Sequence, residues 1–247
     1  ERLVDWIYGI HAVHTMLKSA PQRVKELYVQ RGRLDDRLQK IHKLAEQHGV
    51  ALQWATVKQL DGKAEGRHQG VMALCSPGET YDESFLLKLA EERGGDAFFL
   101  MLDGVTDPHN LGACLRAADG AGVQAVIVPK DNSVGLTPVV SKVACGAAET
   151  MPLVMVTNLT RTLEKLQQQG AWVVGTTGDA EQLIYDIDLK GPMVLVMGAE
   201  GAGMRQLTQK QCDFLVKLPM AGGVSSLNVS VATGICLYEV VRQRTIS

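Results

Sequence analysis

The chain reads as an α/β protein of two domains, the larger built on a parallel sheet covered by helices on both faces. Three features of the sequence predict this. From residue 98 onward, continuous apolar runs of strand length, such as Val194-Leu195-Val196-Met197, alternate with stretches of helical apolar spacing, the pattern of strands buried on both sides. Composition shifts at Ser76-Pro77-Gly78-Glu79-Thr80, where turn formers break the periodicity and set off a smaller N-terminal α/β unit. Of the 247 residues, 46% are apolar, enough to fill the core of one large domain or two ordinary ones.

Taken in order, residues 9–19 have helical spacing through Ile10, Val13 and Leu17. Residues 26–30 read as a strand, and 34–48 as an amphipathic helix through Leu38, Ile41, Leu44 and Ala45. Strands are predicted over 50–54 and 71–75, with a short helix over 56–60 between them. Residues 1–76 therefore form one domain. The turn-rich stretch 77–96, with a short helical pattern over 82–92 closed by Gly94-Gly95, reads as a linker. In the domain 97–247, elements are predicted over 98–102, 111–121, 125–128, 138–144, 153–156, 159–168, 172–176, 194–197, 214–218 and 229–242. The helix over 111–121 turns Leu111, Leu115, Ala118 and Gly122 toward the core, with Asn110 as its cap.

No run of eighteen apolar residues occurs, and Glu1-Arg2-Leu3-Val4-Asp5 has no signal-peptide pattern, so a cytoplasmic protein free of membrane is expected. The five cysteines, Cys75, Cys114, Cys145, Cys212 and Cys236, are widely spaced, with no Cys-x-x-Cys pair and no His at ligand distance. Reduced thiols and no metal are expected. The net charge of −2 hides an asymmetry: residues 1–76 carry twelve Lys/Arg against eight Asp/Glu, and five of the six histidines. A basic head on an acidic body suits local contact with a polyanion, and ordinary solvated charge explains it equally well. Arg31, Arg33 and Arg67 are the candidates for phosphate contact.

Three strand-end loops stand out, because ligands of parallel sheets bind beyond the carboxyl ends of the strands. The first, Asp103-Gly104-Val105-Thr106-Asp107-Pro108-His109-Asn110, leads into a helix carrying Arg116 off its core stripe. The second, Gly198-Ala199-Glu200-Gly201-Ala202-Gly203, lacks dinucleotide spacing but sets an acid, Glu200, just after a buried strand. In the third, a strand ends at Pro219, Gly222-Gly223 frees the backbone, and Ser225-Ser226-Leu227-Asn228 precedes a helix. Leu218, Met220 and Leu227 interleave there with small residues, which would suit a flat, partly polar ligand such as an adenine held by backbone groups. An ordinary strand-to-helix connection is the alternative.

Together, 103–122, 194–204 and 218–232 resemble the three sequence motifs of the SpoU family of RNA ribose 2′-O-methyltransferases. Tyr8-Gly9-Ile10-His11-Ala12-Val13 and His68-Gln69-Gly70 are similar to the head of those members that methylate a guanosine of bacterial 23S ribosomal RNA. Ala117 departs from the family, which often has Thr there. The resemblance implies a SPOUT-type C-terminal domain whose chain forms a deep trefoil knot, a head with a ribosomal-protein-like RNA-binding fold, and a homodimer with the active site near the subunit interface. It implies S-adenosylmethionine as cofactor, cradled by Thr176, Gly198, Leu218, Met220 and Leu227. Arg116, Asn110, Glu200, Ser226 and Asn228 would surround the reacting ribose. Arg116 is proposed in the family as general base, whereas guanidinium chemistry favours a charged fork holding phosphate and alkoxide. Other readings are the same chemistry on another RNA such as tRNA, a noncatalytic RNA-binding protein, and a small-molecule enzyme.

Overall fold

The structure is a computed structural model that describes residues 4–33, 35–76, 78–131, 134–137, 140, 143–144, 146–199 and 201–246. The chain divides into two compact units, one of residues 1–78 with 135–150, the other of 79–134 with 151–247. No helix among the described residues is long and apolar enough to cross a membrane.

The smaller unit holds strands β1 (Asp5–Tyr8), β2 (Val24–Gln30), β3 (Leu52–Ala55) and β4 (Val71–Cys75) in the order β1-β4-β2-β3. Only β2 and β3 run parallel. Helices α1 (Ile10–Ser19) and α2 (Asp36–Gln47) cover one face, burying Val13, Met16, Leu17, Leu38 and Ile41 against Leu27, Val29, Val71 and Ala73. The helix predicted from 34 begins at Asp36 because the Asp35 side chain accepts from Arg37 N at 2.9 Å, the usual way an N-cap sets a boundary. The short helix α3 (Val57–Asp61) starts in a capping box. Gln59 N donates to Thr56 Oγ1 at 3.3 Å, and Thr56 N donates to Gln59 Oε1 at 2.8 Å. Strand β1 is not predicted by the sequence, because it opens on Asp5 and leaves only Trp6-Ile7-Tyr8 as an apolar run.

The larger unit is an eight-stranded sheet in the order β10-β12-β9-β11-β6-β7-β8-β5. Its strands are β5 (Thr80–Tyr81), β6 (Phe98–Asp103), β7 (Ala125–Pro129), β8 (Leu153–Val156), β9 (Trp172–Thr176), β10 (Gln182–Leu183), β11 (Met193–Gly198) and β12 (Phe214–Lys217). Every pairing is parallel, as the continuous apolar runs predict. After β9 the chain goes out to β10 at the edge, back past β9 to β11, and out again to place β12 in the gap between β9 and β10.

Residues 79–96 depart from the expected linker. Strand β5 pairs with β8, and helix α4 (Glu83–Arg93) buries Leu86 and Ala90 in the core of this unit. Burial overrides what looks like loop composition. The same face receives α7 (Leu159–Gln168) through Leu159, Leu163 and Leu166, together with Phe99, Met101, Val194 and Val196. By strand alternation Phe98, Leu100 and Leu102 face the other way. There lie α5 (Pro108–Gly120) and α9 (Val229–Thr245), which pack together with Cys114 Sγ 3.8 Å from Thr233 Oγ1. The Arg244 guanidinium of α9 sits 4.9 Å over the Phe98 ring.

The core stripe of α5 is Leu111, Cys114, Leu115 and Ala118. Gly122, predicted to belong to it, lies beyond the helix with φ +78°. There Val123 N donates to Ala118 O at 3.0 Å and Gly122 N to Asp119 O at 3.1 Å. This is a Schellman stop, which needs the left-handed glycine. Two short helices complete the description, α6 (Ala147–Thr150) in the smaller unit and α8 (Gln206–Gln211) in the larger. The element predicted over 138–144 lies mostly outside the described residues.

Candidate active site

Because the strands of the larger unit run one way, the loops after β6, β9, β11 and β12 emerge at one edge of the sheet, where parallel sheets bind ligands. A cavity of about 830 Å³ opens there. Its wall comes from Thr176 at the end of β9, Met197 and Gly198 at the end of β11 with 201–203 in the loop beyond it, Leu218, Pro219 and Met220 after β12, and Ser225, Ser226 and Leu227 before α9. Thr176, Gly198, Leu218, Met220 and Leu227, singled out in the sequence, all line it, as does Ser226.

Gly198 works differently from a site that simply clears space for a ligand. A Cβ built there would lie 2.2 Å from Met204 N and 2.3 Å from the carbonyl carbon of Gly203. The missing side chain makes room for the protein's own backbone, which folds back over the end of β11. Gly203 N donates to Ala199 O at 2.9 Å, and Gly201 and Gly203 take φ of +76° and +68°. Glu200 lies outside the described residues.

At the end of β6 stands Asp103, a residue outside the candidates named from the sequence. Asp103 is 2% exposed, and both of its carboxylate oxygens are engaged by Arg205. Arg205 N donates to Oδ2 and Arg205 Nε to Oδ1, each at 2.8 Å. The signal was present in the sequence: an acid closing the wholly apolar run 98–102 must be paired or functional. Its partner, 102 residues away, carried no such mark.

The cap of α5 is Asp107, not Asn110. Asp107 Oδ1 accepts from His109 N at 2.7 Å and from Asn110 N at 3.2 Å. The Asn110 side chain therefore projects from the first turn, where its Oδ1 accepts from Asn228 Nδ2 at 3.0 Å. Asn228 in turn caps α9, its Oδ1 accepting from Ser230 N at 3.0 Å and Val231 N at 3.3 Å. The first and third loops are thus tied through these two amides. Arg116 is exposed on α5 outside the cavity lining, and no hydrogen bond or ion pair to the described residues holds its side chain.

Burial pushes the Cys236 thiol, in the cavity wall, up to about 12 and that of Cys114 up to about 11. Cys212 is likewise raised to about 12 by burial, with Asp213 and Asp103 adding repulsion. None is a nucleophile at neutral pH.

In the smaller unit, the two head segments that drew attention in the sequence meet. Gln69, with φ +54°, turns its Oε1 to accept from Ile10 N at 2.9 Å, so it caps α1 from 59 residues away. His68 Nδ1 accepts from Gly70 N at 2.9 Å, and its Nε2 lies 2.9 Å from Asp61 Oδ1. Arg33 Nη1 donates to Gln69 O at 2.9 Å and Nη2 to Asp35 at 3.2 Å, which brings Arg33 beside the loop that carries Arg67. Arg31 and Arg67 are exposed.

Residues 97–238 match the SpoU rRNA Methylase family, and residues 6–81 match the RNA 2′-O ribose methyltransferase substrate binding family. Over 243 residues the chain is 60% identical to a Pseudomonas putida protein named 23S rRNA (guanosine-2′-O-)-methyltransferase RlmB, with 98% of each chain covered. A Pseudomonas aeruginosa protein of the same name is 60% identical over 239 residues, 97% of this chain and 96% of the other. Among solved structures, the SpoU methyltransferase AviRb from Streptomyces viridochromogenes, in complex with AdoMet, is similar in fold with a TM-score of 0.79. It is 23% identical and covers 99% of this chain and 92% of its own.

Proposed function

The chain belongs to the SpoU rRNA Methylase family, and on that footing we propose that it transfers the methyl group of S-adenosylmethionine to a guanosine ribose 2′-hydroxyl of bacterial 23S ribosomal RNA. What carries this reading is the likeness to RlmB proteins, which runs through both units over nearly the whole chain.

The cavity suits the cofactor. Leu218, Met220 and Leu227 offer apolar surface to an adenine, Thr176 offers a hydroxyl, and the glycine loop leaves backbone groups within reach of a ligand. Bound there, S-adenosylmethionine would supply an electrophilic methyl group. A ribose hydroxyl is a poor nucleophile, so the chain's own part is to hold it in line and to stabilise the alkoxide as it forms. Asn110 and Asn228, held together beside the cavity loops, surround the ribose with Ser226, and the family resemblance assigns Glu200 to the same group. Arg116 presents a planar, charged fork to phosphate and alkoxide. Guanidinium keeps its proton in nearly all proteins, so this role fits better than that of general base.

The smaller unit selects the RNA, with the exposed Arg31 and Arg67 on its phosphates and Arg33, whose Nη1 and Nη2 are engaged by Gln69 and Asp35, holding the loop that carries Arg67. The protein acts in the cytoplasm as a homodimer. Supporting the dimer, Val231, Ile235 and Tyr238 recur at i, i+4 and i+7 along α9 and are 52%, 39% and 52% exposed, an apolar stripe that a second copy would cover. The late insertion of β12 between β9 and β10 supports the trefoil knot.

Incubation with labelled S-adenosylmethionine and 23S ribosomal RNA, followed by mapping of the methyl group, tests the reading. One labelled guanosine 2′-oxygen is expected. Label on tRNA instead, or on no RNA at all, would overturn it.

A further inference from the structure

The Asp103 and Arg205 pair is arranged for more than holding the fold together. A buried carboxylate needs partners, and Asp103 has them through one backbone N–H and one Nε–H of the same residue. Arg242, by contrast, gives both Nε and Nη2 to Glu239 at 2.8 Å, the frequent bidentate arrangement of an arginine with a carboxylate. Other arginines of the chain also use their outer nitrogens. Arg244 Nη2 donates to Gly191 O at 2.6 Å, and Arg33 gives Nη1 and Nη2 to Gln69 and Asp35. The Nη1 and Nη2 groups of Arg205 have no partner among the described residues, and its side chain is 61% exposed.

The guanidinium is thus fixed at its inner edge and open at its outer edge. It stands at the end of the glycine loop whose residues 201–203 line the cavity, beyond the carboxyl ends of β6 and β11. Two outward nitrogens in one plane match two oxygens of a phosphate. S-adenosylmethionine contains no phosphate, whereas an RNA strand presents one at every nucleotide.

We propose that Arg205 binds a backbone phosphate of the RNA beside the nucleotide being methylated, with buried Asp103 as the positioning residue that aims it. This rests on the RNA methyltransfer reading above.

The test uses full-length Arg205→Gln and Arg205→Lys with an RNA fragment that the wild type methylates. For Arg205→Gln, the RNA KM should rise about tenfold, as loss of a charge-assisted contact implies, with a much smaller change in the saturating rate. The slope of log affinity for RNA against log salt should flatten by about 0.7, the value for one phosphate on a single strand. Calorimetric affinity for S-adenosylmethionine should hold. Arg205→Lys keeps the charge and the salt slope but loses the fork, so its KM should still rise several-fold. An unchanged salt slope in the Gln variant, a wild-type KM in the Lys variant, or cofactor affinity lost in step with RNA affinity would each overturn the proposal. So would failure of both variants to fold, which would make the pair a fold clamp. If the wild type methylates no RNA, the methyltransfer reading itself fails. If it does and the variants match it, only this inference fails.

Discussion

Asn228 Nδ2 donates to Asn110 Oδ1 at 3.0 Å, joining the starts of two helices 118 residues apart in the chain. Asn228 caps its own helix with Oδ1 while its amide nitrogen reaches the other. One side chain therefore has a local task and a long-range one, and substitution can separate them.

Asn228→Ser keeps an N-cap acceptor but cannot span to Asn110. Its stability to urea should stay within about 0.5 kcal/mol of wild type, and Asn228→Ala should lose about 1 kcal/mol. Both should methylate at least tenfold more slowly in single-turnover assays, since the amide pair is lost in each. A Ser variant with full activity would exclude the pair from the site.

Gly198→Ala places a methyl group where the backbone of Gly203 and Met204 lies. Backbone cannot step aside as a flexible side chain can, so a loss of about 1–3 kcal/mol in thermal or urea unfolding is expected. Affinity for S-adenosylmethionine should fall with it, because the displaced loop lines the cavity. Wild-type affinity on calorimetry would mean that the loop tolerates the shift.

Arg116→Ala should nearly abolish methyl transfer while leaving cofactor affinity intact, because Arg116 lies outside the cavity lining. Arg116→Lys then separates two roles. For a fork, Lys should be almost as damaging as Ala at every pH. For a base, activity should return as pH rises toward the usual lysine pKa of about 10.4. The fork predicts a flat profile, read by single-turnover rates across pH.

Arg31→Glu and Arg67→Glu should each weaken RNA binding and flatten its salt dependence without altering cofactor affinity. Both side chains are exposed, so unfolding is not expected. These point changes are cleaner than deletion of 1–76, because 135–150 belong to the same compact unit and Glu149 lies 3.6 Å from Arg23 within it. RNA affinity that survives both reversals would place the phosphate contacts elsewhere.

The Cys236 thiol, raised to about 12 by burial, has a thiolate fraction of about 10⁻⁴ at pH 8. Its raised pKa works against alkylation at every pH below that value. Iodoacetamide should label Cys236 in native protein about a thousandfold more slowly than in urea, even though it borders the cavity. Rapid native labelling, read by mass spectrometry, would refute the burial account.

The sequence by itself determined the alternation of strands and helices, the parallel sheet and the three loops that matter. These depend on periodicity and turn chemistry, which act over a few residues and are written locally. Through its resemblance to the family it also marked five of the residues that line the cavity, Thr176, Gly198, Leu218, Met220 and Leu227, which meet because strand ends in a parallel sheet share one edge whatever the strand order. Tertiary structure alone decided the rest. Asp107 took the cap that Asn110 was expected to supply, and only the arrival of Asn228 gave Asn110 another use. Gly198 is required by backbone that returns five residues later, and Asp103 is completed by Arg205 from another strand end. Residues 79–96 look like a linker until β8 offers β5 an edge and the core takes Leu86. In each case the deciding contact joins a residue to a partner that no local pattern specifies, so its energy exists only once the sheet order has brought the two together.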